Sequence, residues 1–322
     1  MLMAALCGAP AGMAESDPSR GQPTNHVRFS SVSLPADTRV DGILVSEISG
    51  LTWDPQAQAL YAISDSGNLF LFRLAMENGA LRDVVPVSAV AMQRLPGEKG
   101  KPTALDAEGL ALQKVRAGDR QRVELLVATE GMPKVWRVDP AGTVLGELPL
   151  PAQLTDAKRY EARNTMLEAV AVHPVHGLLV APERPLRGEN PLNGHRIHAH
   201  DRHWNIEALD PLDSRLKAME VLESGHLLVL ERAGSGKRMV NALRRTDLNA
   251  CNAPGTCAAQ TLVHIDRDGG AENFEGMAYL GRQQVLLASD NRGKKYSDTV
   301  FLLVDLSQIA VEGPKKPGSD RE

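Results

Sequence analysis

Short apolar runs separated by turns fill the chain, and one arrangement of polar and apolar positions returns five times. An acidic residue opens one run, and a second run ends on another carboxylate. The copies are Glu47-Ile48-Ser49-Gly50-Leu51 with Leu60 to Asp65, and Asp106-Ala107-Glu108-Gly109-Leu110 with Leu125 to Glu130. They continue as Leu167-Glu168-Ala169-Val170-Ala171 with Leu178 to Glu183, and Met219-Glu220-Val221-Leu222 with Leu227 to Glu231. The last is Phe274-Glu275-Gly276-Met277-Ala278 with Val285 to Asp290. Runs this short read as strands, and repeats of roughly 50 to 60 residues built from them predict an all-β fold, a β-propeller.

Each unit accommodates four antiparallel strands. In the second, Gly109 to Leu112 is the innermost, followed by Glu124–Thr129, Lys134–Val138 and Thr143–Leu150, with Asp139-Pro140-Ala141-Gly142 as a turn. In the first, Asn78-Gly79 marks the corresponding hairpin. The fifth unit runs out of chain after Thr299–Asp305, and the spare strand Val27–Leu34 completes it, closing the ring without a long open edge. Five blades are counted. A sixth is the alternative, in Pro185–Asp213 or Ser88–Ala104, but both stretches are rich in Gly, Pro and charge and read as loops crossing the face of the ring.

The propeller is expected to span residues 26–310 as one domain. Residues 1–14 carry no charge and end Gly12-Met13-Ala14, as a secretory signal peptide does, although no basic residue precedes the apolar stretch. The expected location is therefore periplasmic or secreted. Residues 311–322 read as a disordered tail. Beyond the leader the cysteines are Cys251 and Cys257, flanking a Pro-Gly turn, and a disulfide suits export. With 40 acidic against 36 basic residues and a pI near 6.2, the chain shows no electrostatic footprint for nucleic acid. No segment is long enough to span a membrane, and a monomer is expected.

Ten recurrent carboxylates facing one axis cannot all ionise without compensation. Pairing with Arg or Lys, protonation, or a bound divalent cation would relieve them. Hard cations such as Ca²⁺ take six to eight oxygen ligands, which a ring of Asp and Glu supplies. The expected calcium ligands are Glu108, Glu168, Glu220 and Glu275, at the heads of innermost strands, with Asp65 and Asp290. Arg184, Arg232 and Lys294 lie just beyond inner strands, where they could meet a phosphate or pair with the carboxylates. The histidines His195, His198, His200 and His203 read as an exposed loop, with His198 and His200 as a transition-metal pair the alternative. No Gly-x-Ser-x-Gly elbow is present, which argues against a serine esterase.

Ile48-Ser49-Gly50-Leu51, Asp106-x-Glu108-Gly109-Leu110-Ala111, Leu228-Val229-Leu230-Glu231-Arg232, Asn273-Phe274-Glu275-Gly276-Met277 and Ala288-Ser289-Asp290-Asn291 stand in an order that resembles the phytase-like family, labelled "esterase-like activity of phytase". The resemblance covers about Glu47 to Leu306. It implies an exported propeller, a small anionic phosphoester substrate and calcium-dependent hydrolysis. The alternatives are a non-catalytic, calcium-stabilised binding propeller of the cell envelope and a lactonase-like metal-dependent hydrolase. One departure stands out. Asn164-Thr165-Met166-Leu167-Glu168-Ala169 lacks both glycines of the family's Asn-x-Gly-x-Glu-Gly.

Overall fold

The computed structural model describes residues 27–92, 105–117, 120–251, 256–265, 272–293 and 297–309. The expected leader (1–14), the expected tail (311–322) and Lys294 lie outside the described residues.

Five antiparallel sheets, each of consecutive strands running outward, form a five-bladed propeller. Blade 1 holds Ile48–Asp54, Ala59–Ser64, Asn68–Glu77 and Ala80–Ala91, and blade 2 holds Ala107–Ala117, Arg120–Thr129, Lys134–Val138 and Val144–Leu148. Blade 3 has Leu167–His173, Gly177–Pro182, His195–His198 and His203–Ile206; blade 4 has Arg215–Val221, Leu227–Ala233, Val240–Thr246 and Gln260–Ile265. Blade 5 begins with Phe274–Gly281, Gln284–Ser289 and Thr299–Asp305. Its fourth strand is Arg28–Leu34, paired antiparallel from Arg28↔Asp305 to Leu34↔Thr299, so the two ends of the domain close the ring together.

The alternation of each blade sends one set of side chains to each neighbour. Five apolar clusters result, one in each seam between blades. Between blades 5 and 1, Phe70 and Phe72 meet Phe301 and Leu286. The ring closes through such burial, at about 25 cal/mol per Å² of apolar surface removed from water. The scarcity of aromatics matters little, because Leu, Val and Ala fill the narrow seams.

Pro185–Asp213 is not a face-crossing loop. It contributes the third and fourth strands of blade 3, and composition hid them: each has only four residues, and Gly, Pro and charge fill the rest. His198 pairs with His203 across this hairpin and is fully buried, whereas His200 lies exposed in its turn, so the two do not form a metal pair. Cys251 and Cys257 are joined as a disulfide. Thr256–Cys257 adds to blade 3 as a short parallel fifth strand, Asn205↔Thr256 and Ile206↔Cys257, and so ties a blade 4 connection to the neighbouring blade. Among the described residues no helix is long and apolar enough to cross a membrane.

Candidate functional site

The innermost strands share one irregularity. In each, a single residue bulges from the ladder near its start, between Ile48 and Gly50, Ala107 and Gly109, Leu167 and Ala169, Leu216 and Ala218, and Phe274 and Gly276. A bulge re-aims a side chain, and the five re-aimed residues are Ser49, Glu108, Glu168, Lys217 and Glu275. The next position must be small because the inner strands crowd the axis. A Cβ on Gly50 would lie 2.7 Å from Leu110 N, and one on Gly109 would lie 2.8 Å from the Glu168 carbonyl oxygen. The axial cavity, lined by Ser49, Leu110, Lys217, Met219 and Met277 among others, has room for about one water.

A second ring follows the second strands: Asp65, Glu130, Glu183, Arg232 and Asp290. Their amides are held by the residue that opens the blade, Asp65 by Glu47 O (3.1 Å), Glu130 by Asp106 O (2.8 Å), Glu183 by Met166 O (3.0 Å) and Asp290 by Asn273 O (2.8 Å).

Blade 4 breaks the pattern in both rings, and this changes the reading of the site. Its bulged residue is Lys217, and its second-ring residue is Arg232. Glu220, expected as a ligand at the head of this strand, lies three residues further on. There its carboxylate accepts from Tyr279 N (3.4 Å), and burial pushes it up to about 8. Glu231 falls one position short of the second ring. It accepts from His195 Nε2 (3.1 Å), Leu209 N (2.8 Å) and Arg244 Nη1 (2.7 Å), a structural assignment.

Both blade 4 cations are consumed by carboxylates. Lys217, 4 % exposed, donates to Glu168, to Glu183 (3.1 Å) and to Glu275 (2.9 Å). Arg232 donates to Glu275 (3.0 Å) and stands 3.8 Å from Glu183, which Arg215 also contacts at 3.2 Å. Burial works against charge on Lys217, yet Glu168, Glu275 and Glu183 together hold its pKa well above the ordinary value. Burial likewise raises Glu275, but Lys217 and Arg232 overcome it and leave the group low. Arg184 stands 3.9 Å from Glu161 at the surface.

Asp290 of blade 5 and the ring carboxylates of blades 1 and 2 have no such ion pair among the described residues. Asp65 accepts from Ser49 Oγ, and burial reinforced by Asp290, Glu275 and Glu47 moves it to about 7. Asp290 accepts from Asn273 Nδ2 (2.9 Å) and Arg292 N (2.5 Å), and is raised by burial and by Glu275. On blade 2, carboxylate oxygens of Asp106, Glu108 and Glu130 lie within 4.8 Å of one another. Glu130 also accepts from Met166 N (2.8 Å), and burial with Glu183 pushes it up to about 8. Glu108 is 9 % exposed, with no hydrogen-bond partner among the described residues. Burial, then Glu168, Asp65 and Glu275, hold it well above the carboxylate range.

Three convergent carboxylates, with Glu108 unpartnered among the described residues and Glu108 and Glu130 pushed toward protonation, fit a hard divalent cation. Of the six expected ligands, the structure brings Glu108 to this cluster and seats Asp65 beside it, since Asp65 O accepts from Ala107 N (3.0 Å). Glu168 and Glu275 instead face Lys217, Asp290 lies on blade 5, and Glu220 lies apart. Asp106 is the added member, held at φ +53 just before the strand. Lys217 was also missed. Leu216-Lys217-Ala218-Met219 aligns directly with Leu167-Glu168-Ala169-Val170, and that alignment would have found it.

A five-bladed propeller with an acidic, half-compensated ring at one face is the class this molecule defines. Residues 43–292 match the family model "Phytase-like: Esterase-like activity of phytase", and the chain belongs to that family. Comparison with curated proteins yields no match. Among solved structures, the chain is similar to the calcium-binding protein regucalcin from Agrobacterium tumefaciens str. C58, at 12% identity, TM-score 0.39, 86% of this chain and 96% of that one. It is similar in the same degree to a PQQ-bound aldose sugar dehydrogenase from Streptomyces coelicolor, at 12%, 0.39, 88% and 99%. Likeness at this level says nothing about chemistry.

Proposed function

We propose that this phytase-like propeller is an exported, calcium-dependent phosphoester hydrolase whose cation is held by Asp106, Glu108 and Glu130. The observation that carries the reading is the convergence of those carboxylates, none of which forms an ion pair with a basic side chain among the described residues. Calcium bound there would draw charge from phosphoryl oxygens and acidify a coordinated water.

The protein's own residues supply the rest. Met166 N fixes the Glu130 carboxylate, and the Asp106 carbonyl fixes the Glu130 backbone. Asp65, held near 7 and anchored by Ser49, can take up or give a proton at neutral pH. Lys217 and Arg232 pair with Glu168, Glu183 and Glu275 and hold them in place, so that the second half of the ring does not compete for the cation. The axial cavity is too narrow for a substrate, which must approach across the face.

A second reading, a non-catalytic calcium-stabilised binding propeller of the cell envelope, has one observation in its favour: Glu108 and Glu130 are 9 % and 5 % exposed, a depth that suits a structural ion. A lactonase-like hydrolase would use the same cation site. Calcium titration of metal-stripped protein, following melting temperature and p-nitrophenyl phosphate hydrolysis together, separates these readings. Cation-dependent stabilisation with turnover is the expected result, since a ligand of the folded state stabilises by mass action. Stabilisation alone would move the binding reading ahead. No response would overturn both.

A further inference from the structure

Beside the acidic triad stands a guanidinium that the ring does not use. Gly131, at φ +62, follows Glu130, and its missing side chain leaves a gap. A Cβ there would lie 3.4 Å from Asp106 Oδ2 and 3.5 Å from both Nε and Nη2 of Arg163. Arg163 and Asp106, one member of the triad, therefore border the same small space at Gly131. It is exposed, and among the described residues no carboxylate lies within ion-pair distance of it. Arg184 and Arg232, the expected phosphate contacts, both stand beside protein carboxylates.

The segment carrying Arg163 is fixed at several points. Its carbonyl accepts from Gly131 N (3.3 Å), and Ala162 N donates to Thr165 Oγ1 (3.1 Å). Arg187 clamps the turn before it, donating to the carbonyls of Tyr160 (2.7 Å) and Glu161 (2.6 Å). The Tyr160 hydroxyl donates to Leu154 O (2.8 Å) inside the core between blades 2 and 3. A guanidinium on so well-held a backbone loses less entropy on binding, and its planar fork matches phosphate oxygens in pairs.

We propose that Arg163 and the Asp106–Glu108–Glu130 cation site form a two-sided anion clamp for a terminal phosphate monoester, with the phosphoryl group seated over Gly131. This rests on the cation site of the proposed function and narrows it. A dianionic phosphoryl group can satisfy both a cation and a guanidinium, whereas a neutral ester or lactone offers a single carbonyl oxygen. Arg163 is thus the residue that selects the substrate class.

The test is titration of the full-length, calcium-loaded protein with inorganic phosphate by calorimetry, comparing wild type, Arg163→Ala, Arg163→Lys and, as a control, Arg184→Ala. Calcium affinity is measured in parallel. Arg163→Ala is expected to weaken phosphate binding about 10- to 100-fold, the loss typical of charge-assisted hydrogen bonds. Calcium affinity should be unchanged, Arg163→Lys intermediate and Arg184→Ala near wild type. Equal phosphate binding by wild type and Arg163→Ala would overturn the clamp and leave the cation site standing. Calcium binding without phosphate binding in the wild type would overturn the clamp and the phosphoester reading together. Failure to bind calcium would remove the basis of both.

Discussion

Replacing Lys217 by methionine keeps most of its volume and removes its charge. In the native ring this ammonium, 4 % exposed, faces Glu168, Glu183 and Glu275 at once. Breaking a buried ion pair by deleting one partner costs about 3–5 kcal/mol, because a charge is left buried without compensation. Arg232 and Arg215 still serve Glu275 and Glu183 in the variant, so the lower end, about 3 kcal/mol, is expected. For a domain of this size that corresponds to a fall in melting temperature on the order of 10 °C. Thermal unfolding in metal-free buffer near neutral pH reads it directly. Adding Glu168→Gln to Lys217→Met should return part of the loss, because the carboxylate left without its cation is then gone. A Lys217→Met protein melting within about 1 kcal/mol of wild type would refute the reasoning, since the three carboxylates would then not depend on that cation.

Two further outcomes follow from the same geometry. Glu130 and Glu220 are raised to about 8 and Asp65 to about 7, so above pH 6.5 the metal-free folded state holds protons that the unfolded chain has already released. Metal-free stability should therefore fall as pH rises from 6.5 to 8. Below 6.5 the buried neutral His198, lowered to about 3, acts in the opposite sense and blunts the trend; a melt series flat or rising between 6.5 and 8 would contradict the raised carboxyls. Gly109→Ala should destabilise by about 1–3 kcal/mol, measured by denaturant unfolding, because its methyl would press on a backbone carbonyl rather than on a side chain that can move.

The architecture was legible because propeller blades repeat. The continuous apolar runs of Leu125 to Thr129 or Val285 to Ser289 mark buried second strands, and the spare strand at Arg28–Leu34 had one vacant place to fill. Blade 3 was half hidden, since strands of four residues set among Gly, Pro and Arg carry too little periodicity to declare themselves. In the site, Glu108 and Asp65 could be read from their repeat positions. Blade 4 could not be read from acidity alone: Glu220 and Glu231 supplied the expected letters in the wrong register, and a one-residue shift moves a side chain to the other face of a strand. Lys217 and Arg232 occupy the true positions. Arg163 meets the cluster only through packing between blades 2 and 3, which no local pattern encodes.

The claim that blade 4 cations pair with one half of the ring and leave a cation site on blade 2 is tested most directly by calcium calorimetry on metal-stripped protein. Wild type, Glu108→Gln and Glu220→Gln should be compared at one pH. The account expects calcium to bind wild type and Glu220→Gln alike and Glu108→Gln at least about 10-fold more weakly, one lost charged ligand. Undiminished binding by Glu108→Gln, or loss of binding in Glu220→Gln, would contradict it.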